Sequence, residues 1–476
     1  MSNKFKHLIE GSYQFPQEGF KLKNGNLQFH DVPLNQLIKK YGTPFKLFYL
    51  PKVAKQIDKA RDIFSQAINH HNYNGSYHYC YCTKSSHFSY VMKKVLSRGV
   101  HLETSSAFDI SIIDALYRSG DIDKALRVIH NGYKNDNYLL KIIELHKLGF
   151  ENLVLVLDST EELVRLKQIL KNEEIGTLKI GIRVAIDEAP QSPYYTSRLG
   201  IRTTEVFEFC QQEILADSRF SFEMLHFYID SGIKDSMYYW DEFQKMLSLY
   251  ISLKSLSPSL HCFNLGGGLP IRNHLSFDYD YKQIISEIVR KIKLTCDAFG
   301  IAHPDIYSEF GRYTIGESGA IIFEVLEQKK QNEQETWYIV DNSLMNTLPD
   351  SWSIKEKFIV LPVNKWQNDY TRINIGGMSC DHSDFYNSEQ LNQQILLPKY
   401  SKEETEPLYL GFFHTGAYQD AISGYGGIKH CLIPAPKIII IDYDEEGNLT
   451  DRLYRDEQSP SEMLSILGYS APDDAL

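Results

Sequence analysis

Eight short runs rich in β-branched and aromatic residues, each followed by a helix-like stretch, constrain this chain more than any other feature. They occupy residues 76–83, 101–105, 125–130, 152–158, 178–186, 222–229, 261–265 and 305–309. The first five begin at 76, 101, 125, 152 and 178, a repeat of 24 to 27 residues, and the later gaps of 39 to 44 leave room for extra helices or loops. Helical patterns such as 109–117 and 137–148 fall between them. Strands alternating with helices eight times predict an α/β fold, a (β/α)8 TIM-type barrel, with a doubly wound open sheet as the alternative. From about residue 318 the chain changes to strand-like runs (320–328, 336–341, 358–361, 437–442), turns and little helical periodicity, which predicts a mainly antiparallel β domain. Residues 19–30 are also strand-like and are expected to join it. The β domain is therefore discontinuous: residues 1–43 and 318–476, with the barrel over 44–317. A helix over 33–41 leads through Gly42-Thr43-Pro44 into the barrel, and the tail 470–476 is expected to fray.

Composition narrows the function. The chain of 476 residues is 43% hydrophobic and 23% charged, ordinary for a globular protein. Fifty basic against 61 acidic residues leave a net charge of −11 with no long basic run, so nucleic-acid binding is not expected. No apolar stretch is long enough to span a bilayer, and the start, Met1-Ser2-Asn3-Lys4-Phe5-Lys6-His7, lacks the apolar core of a secretory signal. Seven cysteines, an odd number scattered along the chain, read as reduced thiols in a cytoplasm. Cys80-Tyr81-Cys82 has no second Cys/His pair at finger spacing, so no metal site is expected there.

In barrels of this kind the chemistry gathers at the C-terminal ends of the strands. Those ends carry Lys84, Glu103, His130-Asn131-Gly132-Tyr133-Lys134, Asp158-Ser159, Arg183, His226 to Ser231, Gly266-Gly267-Gly268 and Glu309-Phe310-Gly311-Arg312. Three glycines let backbone N–H groups approach an anion closely, although a triple glycine also makes a plain tight turn. Paired with Gly311-Arg312 one strand later, at the usual phosphate position of this fold, they point to a phosphorylated ligand. A lysine at a barrel mouth is a nucleophile when partly desolvated, and an ordinary rim lysine otherwise. Lys84, the phosphate cup and Glu309 together suggest pyridoxal 5′-phosphate (PLP). The lysine bonds its aldehyde, the cup holds its phosphate, and the carboxylate keeps its ring nitrogen protonated.

These residues resemble those of the fold-type III, alanine-racemase-like barrel PLP decarboxylases, which act on ornithine, diaminopimelate and arginine. Tyr81-Cys82-Thr83-Lys84 is similar to the family's Tyr-x-x-Lys, which implies that Lys84 bonds the cofactor. Glu309-Phe310-Gly311-Arg312 resembles Glu-Pro-Gly-Arg, implying that Glu309 meets the ring nitrogen and that Gly311 and Arg312 lie at the phosphate. The resemblance places Gly266, Gly267, Gly268, Ser231 and the phenol of Tyr418 in the same phosphate shell. Glu103 and Arg183 are taken with the cofactor site. Ser379-Cys380-Asp381-His382-Ser383-Asp384 resembles Thr-Cys-Asp-x-x-Asp, a motif that the family brings across a homodimer interface into a shared active site. By that likeness Cys380 returns a proton to the decarboxylated Cα, and a thiol of pKa about 8.5 is a competent acid near neutrality.

Asn131-Gly132-Tyr133-Lys134, Leu348-Pro349-Asp350-Ser351-Trp352 and Gly416-Ala417-Tyr418-Gln419-Asp420 are similar to segments of biosynthetic arginine decarboxylases. This implies that Asp350 meets the distal cationic group of the substrate, with Asp381 and Asp384 as further acceptors. The five N–H donors of a guanidinium suit paired carboxylates, while a single ammonium needs fewer, so ornithine and lysine stay open. Diaminopimelate would want an arginine for its second carboxylate. The reaction expected is L-arginine to agmatine and CO2, a step of polyamine biosynthesis. The alternatives are another basic-amino-acid decarboxylase, a racemase, a silent homologue that binds a partner protein, and a PLP-free sugar-phosphate barrel. One departure stands out: Phe227-Tyr228-Ile229-Asp230-Ser231 replaces Phe-His-x-Gly-Ser, putting Tyr228 at the ring-stacking position. A phenol stacks well but carries no positive charge. His226 is expected on the opposite side of its strand, in the core.

Overall fold

A computed structural model describes residues 3–186, 197–386, 395–401 and 403–470. The chain divides into two compact units, one of Ala54–Pro270 and Tyr279–Thr314, the other of Met1–Val53, Ile271–Asp278 and Ile315–Leu476.

The first unit is the expected barrel. Its parallel strands are β1 (Tyr77–Cys82), β2 (His101–Thr104), β3 (Val128–His130), β4 (Leu153–Leu157), β5 (Leu178–Ala185), β6 (Phe220–Phe227), β7 (Cys262–Asn264) and β8 (Asp305–Glu309). Each pairs with the next, and β8 pairs with β1, which closes the ring. The open-sheet alternative is thereby set aside. Strand identity follows from burial: Leu153–Leu157 is apolar and buried at every position, as a strand covered on both faces must be. The intervening helices are amphipathic and capped. Asn135 accepts from the Tyr138 N–H at the start of Asp136–Lys147, and Ser106 with Asp109 forms a reciprocal box opening Ala107–Arg118.

The second unit is a mixed but mainly antiparallel sheet around Gly319–Lys330. That strand pairs antiparallel with Phe45–Tyr49, Thr336–Val340 and Tyr409–Phe413. Two pairings are parallel, Phe45–Tyr49 with Lys437–Tyr443 and Thr336–Val340 with Tyr370–Gly376. The strand-like stretch near the start forms its own antiparallel sheet of Phe20–Lys23, Asn26–Phe29 and Val32–Pro33, and Phe20, Leu27 and Phe29 pack into the core of this unit. Phe45–Tyr49 lay on the barrel side of the expected boundary at residue 43. Its ladders with two strands of the β unit carry the chain to Val53 into that unit, and Ile271–Asp278 joins it as well. Residues 471–476, expected to fray, lie outside the described residues.

Candidate active site

The barrel interior is built in layers, and the site is one layer. Cys80, Ile129, Val156, Met224, Cys262 and Tyr307 form a buried cluster from six strands. A side chain at Gly181 of β5 would meet Val156 and Met224, so that position also faces inward. Residues two apart on a strand share a face. Two positions toward the C-terminal end, the inward side chains become Cys82, Asn131, Asp158, Arg183, His226, Asn264 and Glu309; His101 leads in the same way to Glu103. An apolar layer is thus roofed by a polar one.

Within that roof three side chains hold Glu309. Asn264 Nδ2 donates to its Oε1 at 2.7 Å, while Asn131 Nδ2 at 2.9 Å and His226 Nε2 at 3.0 Å meet Oε2. Burial alone would raise this carboxyl, but His226, Lys84 and Asn131 hold it at about 2. Lys84, in the turn after β1, donates to both oxygens of Glu103 at 2.9 and 2.8 Å. Burial, joined by the nearby charge of Glu309, lifts Glu103 above the usual carboxylate range against the pull of Lys84. Asn131 bridges the two carboxylates, donating also to Glu103 at 3.1 Å. The Lys84 side chain is 43% exposed, partly desolvated at the mouth, and its ammonium is positioned by Glu103.

The expected phosphate cup is present as backbone. A β-carbon on Gly232 would lie 2.7 Å from the Gly268 carbonyl oxygen, and one on Gly268 would lie 2.9 Å from the Gly232 Cα. Both glycines have positive φ, +77° and +102°, so only glycine lets these two loops approach. Beside them the Ser231 hydroxyl is sealed from solvent with no hydrogen-bond partner among the described residues. Gly311 is buried and Arg312 half-buried at the end of β8; Arg183 lies 3.9 Å from Asp158. Tyr228 follows β6, with its Cβ 3.3 Å from where a Gly266 side chain would begin.

These residues fit PLP. An orphaned hydroxyl and a glycine cradle suit a phosphate, an ionised buried carboxylate suits a protonated ring nitrogen, and a lysine stands in the same mouth. Cys82, Glu103 and Glu309 also bring ligand atoms within 4.8 Å of one another. Their carboxylates are already taken by Lys84, Asn131, Asn264 and His226, and burial pushes the Cys82 thiol up, so the group reads as a hydrogen-bonded shell.

His226 corrects the expectation that it faces the opposite side of its strand. It lies two residues beyond Met224 on the inward face and touches Glu309 directly. In the sequence Asn131 stands out only as part of a motif, and Asn264 carries no motif of its own. Counting two residues onward from each inward apolar position would have found all three.

In the second unit, Asp350 is buried and paired twice with Gln419, whose Nε2 donates to Oδ2 at 2.9 Å and whose Oε1 accepts from the Asp350 N–H at 3.3 Å. Asp384 differs from its expected role as a substrate acceptor. Its oxygens take the N–H groups of Met345 (3.0 Å) and Ser379 (3.1 Å) and the Ser343 hydroxyl (3.2 Å), which makes it the brace of the 379–384 loop. Asp381 accepts from the Ser383 N–H at 2.7 Å and lies 3.4 Å from His430. Cys380 is exposed, and contact with the Cys431 thiol raises its pKa. Tyr418 is half-buried and takes a left-handed φ of 68° as it opens the Gln419–Ser423 helix.

The chain is similar to known proteins over most of its length. Residues 60–316 match the family model described as pyridoxal-dependent decarboxylase, pyridoxal binding domain. A biosynthetic arginine decarboxylase of Prochlorococcus marinus is 22% identical over 91% of this chain and 84% of its own length. An arginine decarboxylase of Glycine max is 21% identical over 87% and 74%. Among solved structures, a biosynthetic arginine decarboxylase from Campylobacter jejuni superposes with a TM-score of 0.78 at 20% identity, covering 98% of this chain and 90% of that one. The diaminopimelate decarboxylase of M. jannaschii in complex with L-lysine gives 0.77 at 15% identity, covering 94% and 97%. With more than half its length matched by the family model, and with a barrel mouth that fits the cofactor, the chain belongs to the pyridoxal-dependent decarboxylases.

Proposed function

We propose that this enzyme converts L-arginine to agmatine and CO2, with PLP in the barrel mouth. The shell around Glu309 carries the reading: a sealed, ionised carboxylate held by three donors is the environment a pyridinium nitrogen needs. Bound there, PLP supplies a sink for the electron pair left at Cα when CO2 departs. Lys84 would bond the cofactor aldehyde. The Gly266-Gly267-Gly268 turn, Ser231, Gly311, Arg312 and Tyr418 would hold the phosphate, and Tyr228 would face the ring. Glu103 receives the ammonium of Lys84 and so sets where that nitrogen stands. Arg183 fills the polar roof beside Asp158.

For the substrate, Asp350 offers a carboxylate that Gln419 orients, and Asp381 stands as a second acceptor. The likeness to arginine decarboxylases over most of the chain favours a guanidinium over an ammonium. Cys380 hands the proton to Cα as the thiol acid of the shared site. Trp352, Ile354, Met378, Ile422, Ile428 and Leu432 are exposed apolar residues of the second unit, which supports a homodimer with shared sites. Among the described residues no helix is long and apolar enough to cross a membrane, and every cysteine is free, in keeping with a cytoplasmic enzyme.

The test is CO2 release from arginine, ornithine, lysine and diaminopimelate by the purified holoenzyme, with borohydride trapping and peptide mapping. Arginine should turn over fastest and the Lys84 peptide should carry the reduced cofactor. Lys84→Ala should abolish both. Faster turnover of ornithine, or an unmodified Lys84 peptide in saturated holoenzyme, overturns the proposal.

A further inference from the structure

The Sγ atoms of Cys380 and Cys431 lie 3.3 Å apart, although the residues are 51 positions apart in the chain. Both are exposed, whereas Cys80, Cys82, Cys210, Cys262 and Cys296 are buried. The contact is built from both sides. Asn346 clamps the backbone next to Cys431, donating to the His430 carbonyl at 3.0 Å and accepting from its N–H at 3.2 Å. Asp384 braces the loop that carries Cys380. His430 Nε2 and Asp381 Oδ2, each the neighbour of one cysteine, approach to 3.4 Å and close the same junction. Cys431 and Leu432 both take left-handed φ, 54° and 53°, which fixes the turn that presents the thiol.

We propose that this pair is an oxidation site, at which a peroxide converts Cys380 and Cys431 into a disulfide and withdraws Cys380 from catalysis. One thiolate attacks the O–O bond, forming a sulfenic acid and releasing hydroxide. The second thiolate attacks the sulfenic sulfur, forms the S–S bond and expels another hydroxide. The two thiol protons complete two waters, so two thiols and hydrogen peroxide become one disulfide and two waters. A disulfide bond is about 2.05 Å, so the sulfurs close by only about 1.2 Å. Burial shields the other five thiols from a peroxide in solution, which makes the exposed pair the selective target. The loss of activity rests on Cys380 as the proton donor; the covalent event does not.

The experiment treats the holoenzyme with graded hydrogen peroxide, then alkylates, digests without reduction and maps the peptides while activity is followed. The expected result is a Cys380 peptide joined to the Cys431 peptide, lighter than their sum by two hydrogens. Activity falls at least tenfold in step with the link and is restored by dithiothreitol. Cys431→Ser should keep basal activity and form no link. Wild-type protein whose two thiols both remain open to alkylation overturns the site, and so does a Cys380 bond to a second copy. A complete link at full activity supports the oxidation site and overturns the proton-donor role of Cys380.

Discussion

His226 Nε2 stands 3.0 Å from Glu309 Oε2, and both side chains are buried in the polar roof of the barrel. An isolated carboxylate in that position would be protonated, because removing a charge from water favours its neutral form. The imidazole, with the charge of Lys84 and the Asn131 amide, reverses that preference and keeps Glu309 charged.

The acid limb of the reaction therefore depends on His226. Glu309 has a depressed pKa of about 2, so the charged form it needs persists until pH falls through that value. In His226→Leu the carboxyl should rise, and activity should be lost at higher pH than in the wild type. One charge-assisted hydrogen bond of about 1.5–3 kcal/mol corresponds to a displacement of roughly one to two pH units. Measurement of kcat/KM against pH checks this, and Glu309→Gln should be nearly inactive at every pH.

Gly232→Ala and Gly268→Ala should each weaken the cofactor more than the fold. Either β-carbon would fall within 3 Å of the opposing backbone at a positive φ, so the loops must part. The expected cost is about 1–3 kcal/mol, read as a loss of PLP affinity of roughly ten- to a hundredfold in an absorbance titration.

Lys52 and Glu317 anchor the second unit against acid. Lys52 Nζ is 2.9 Å from Glu317 Oε2, and the Arg272 N–H donates to Oε1 at 3.1 Å. Burial would raise Glu317, yet His414, Lys52 and the Arg272 N–H hold it at about 2, below its ordinary 4.5. A depressed carboxyl contributes stability above its unfolded value and loses it as pH falls through the folded one. The gap in stability between wild type and Glu317→Gln should be full above pH 4.5 and close toward pH 2 in urea melts. Lys52→Met, which leaves the buried charge without its cation, should cost about 3–5 kcal/mol at neutral pH.

Asp350 and Gln419 divide binding from turnover. Asp350→Asn removes the charge proposed to meet the guanidinium and should raise the KM for arginine roughly ten- to a hundredfold with a smaller change in kcat. Gln419→Leu removes both hydrogen bonds that orient Asp350 and should raise KM by a smaller factor. Steady-state kinetics on both variants separate charge from orientation.

The barrel was legible in the sequence because its signals are local. Runs such as Leu153–Leu157 must be apolar throughout to be covered on both faces, and the chain repeats that unit eight times. Lys84, Gly266, Glu309 and Arg312 were legible for the same reason, since each directly follows or ends a readable strand. What joins Asn131, His226 and Asn264 on one carboxylate is the closure of the ring, which brings β3, β6, β7 and β8 together from across the chain. Likewise Asp384 is a brace and not an open acceptor because distant N–H groups fold onto it, and Cys431 meets Cys380 only through the packing of two loops. Periodicity along the chain decides which way a side chain faces. Which partner it meets depends on three-dimensional contacts between segments that share no sequence signal.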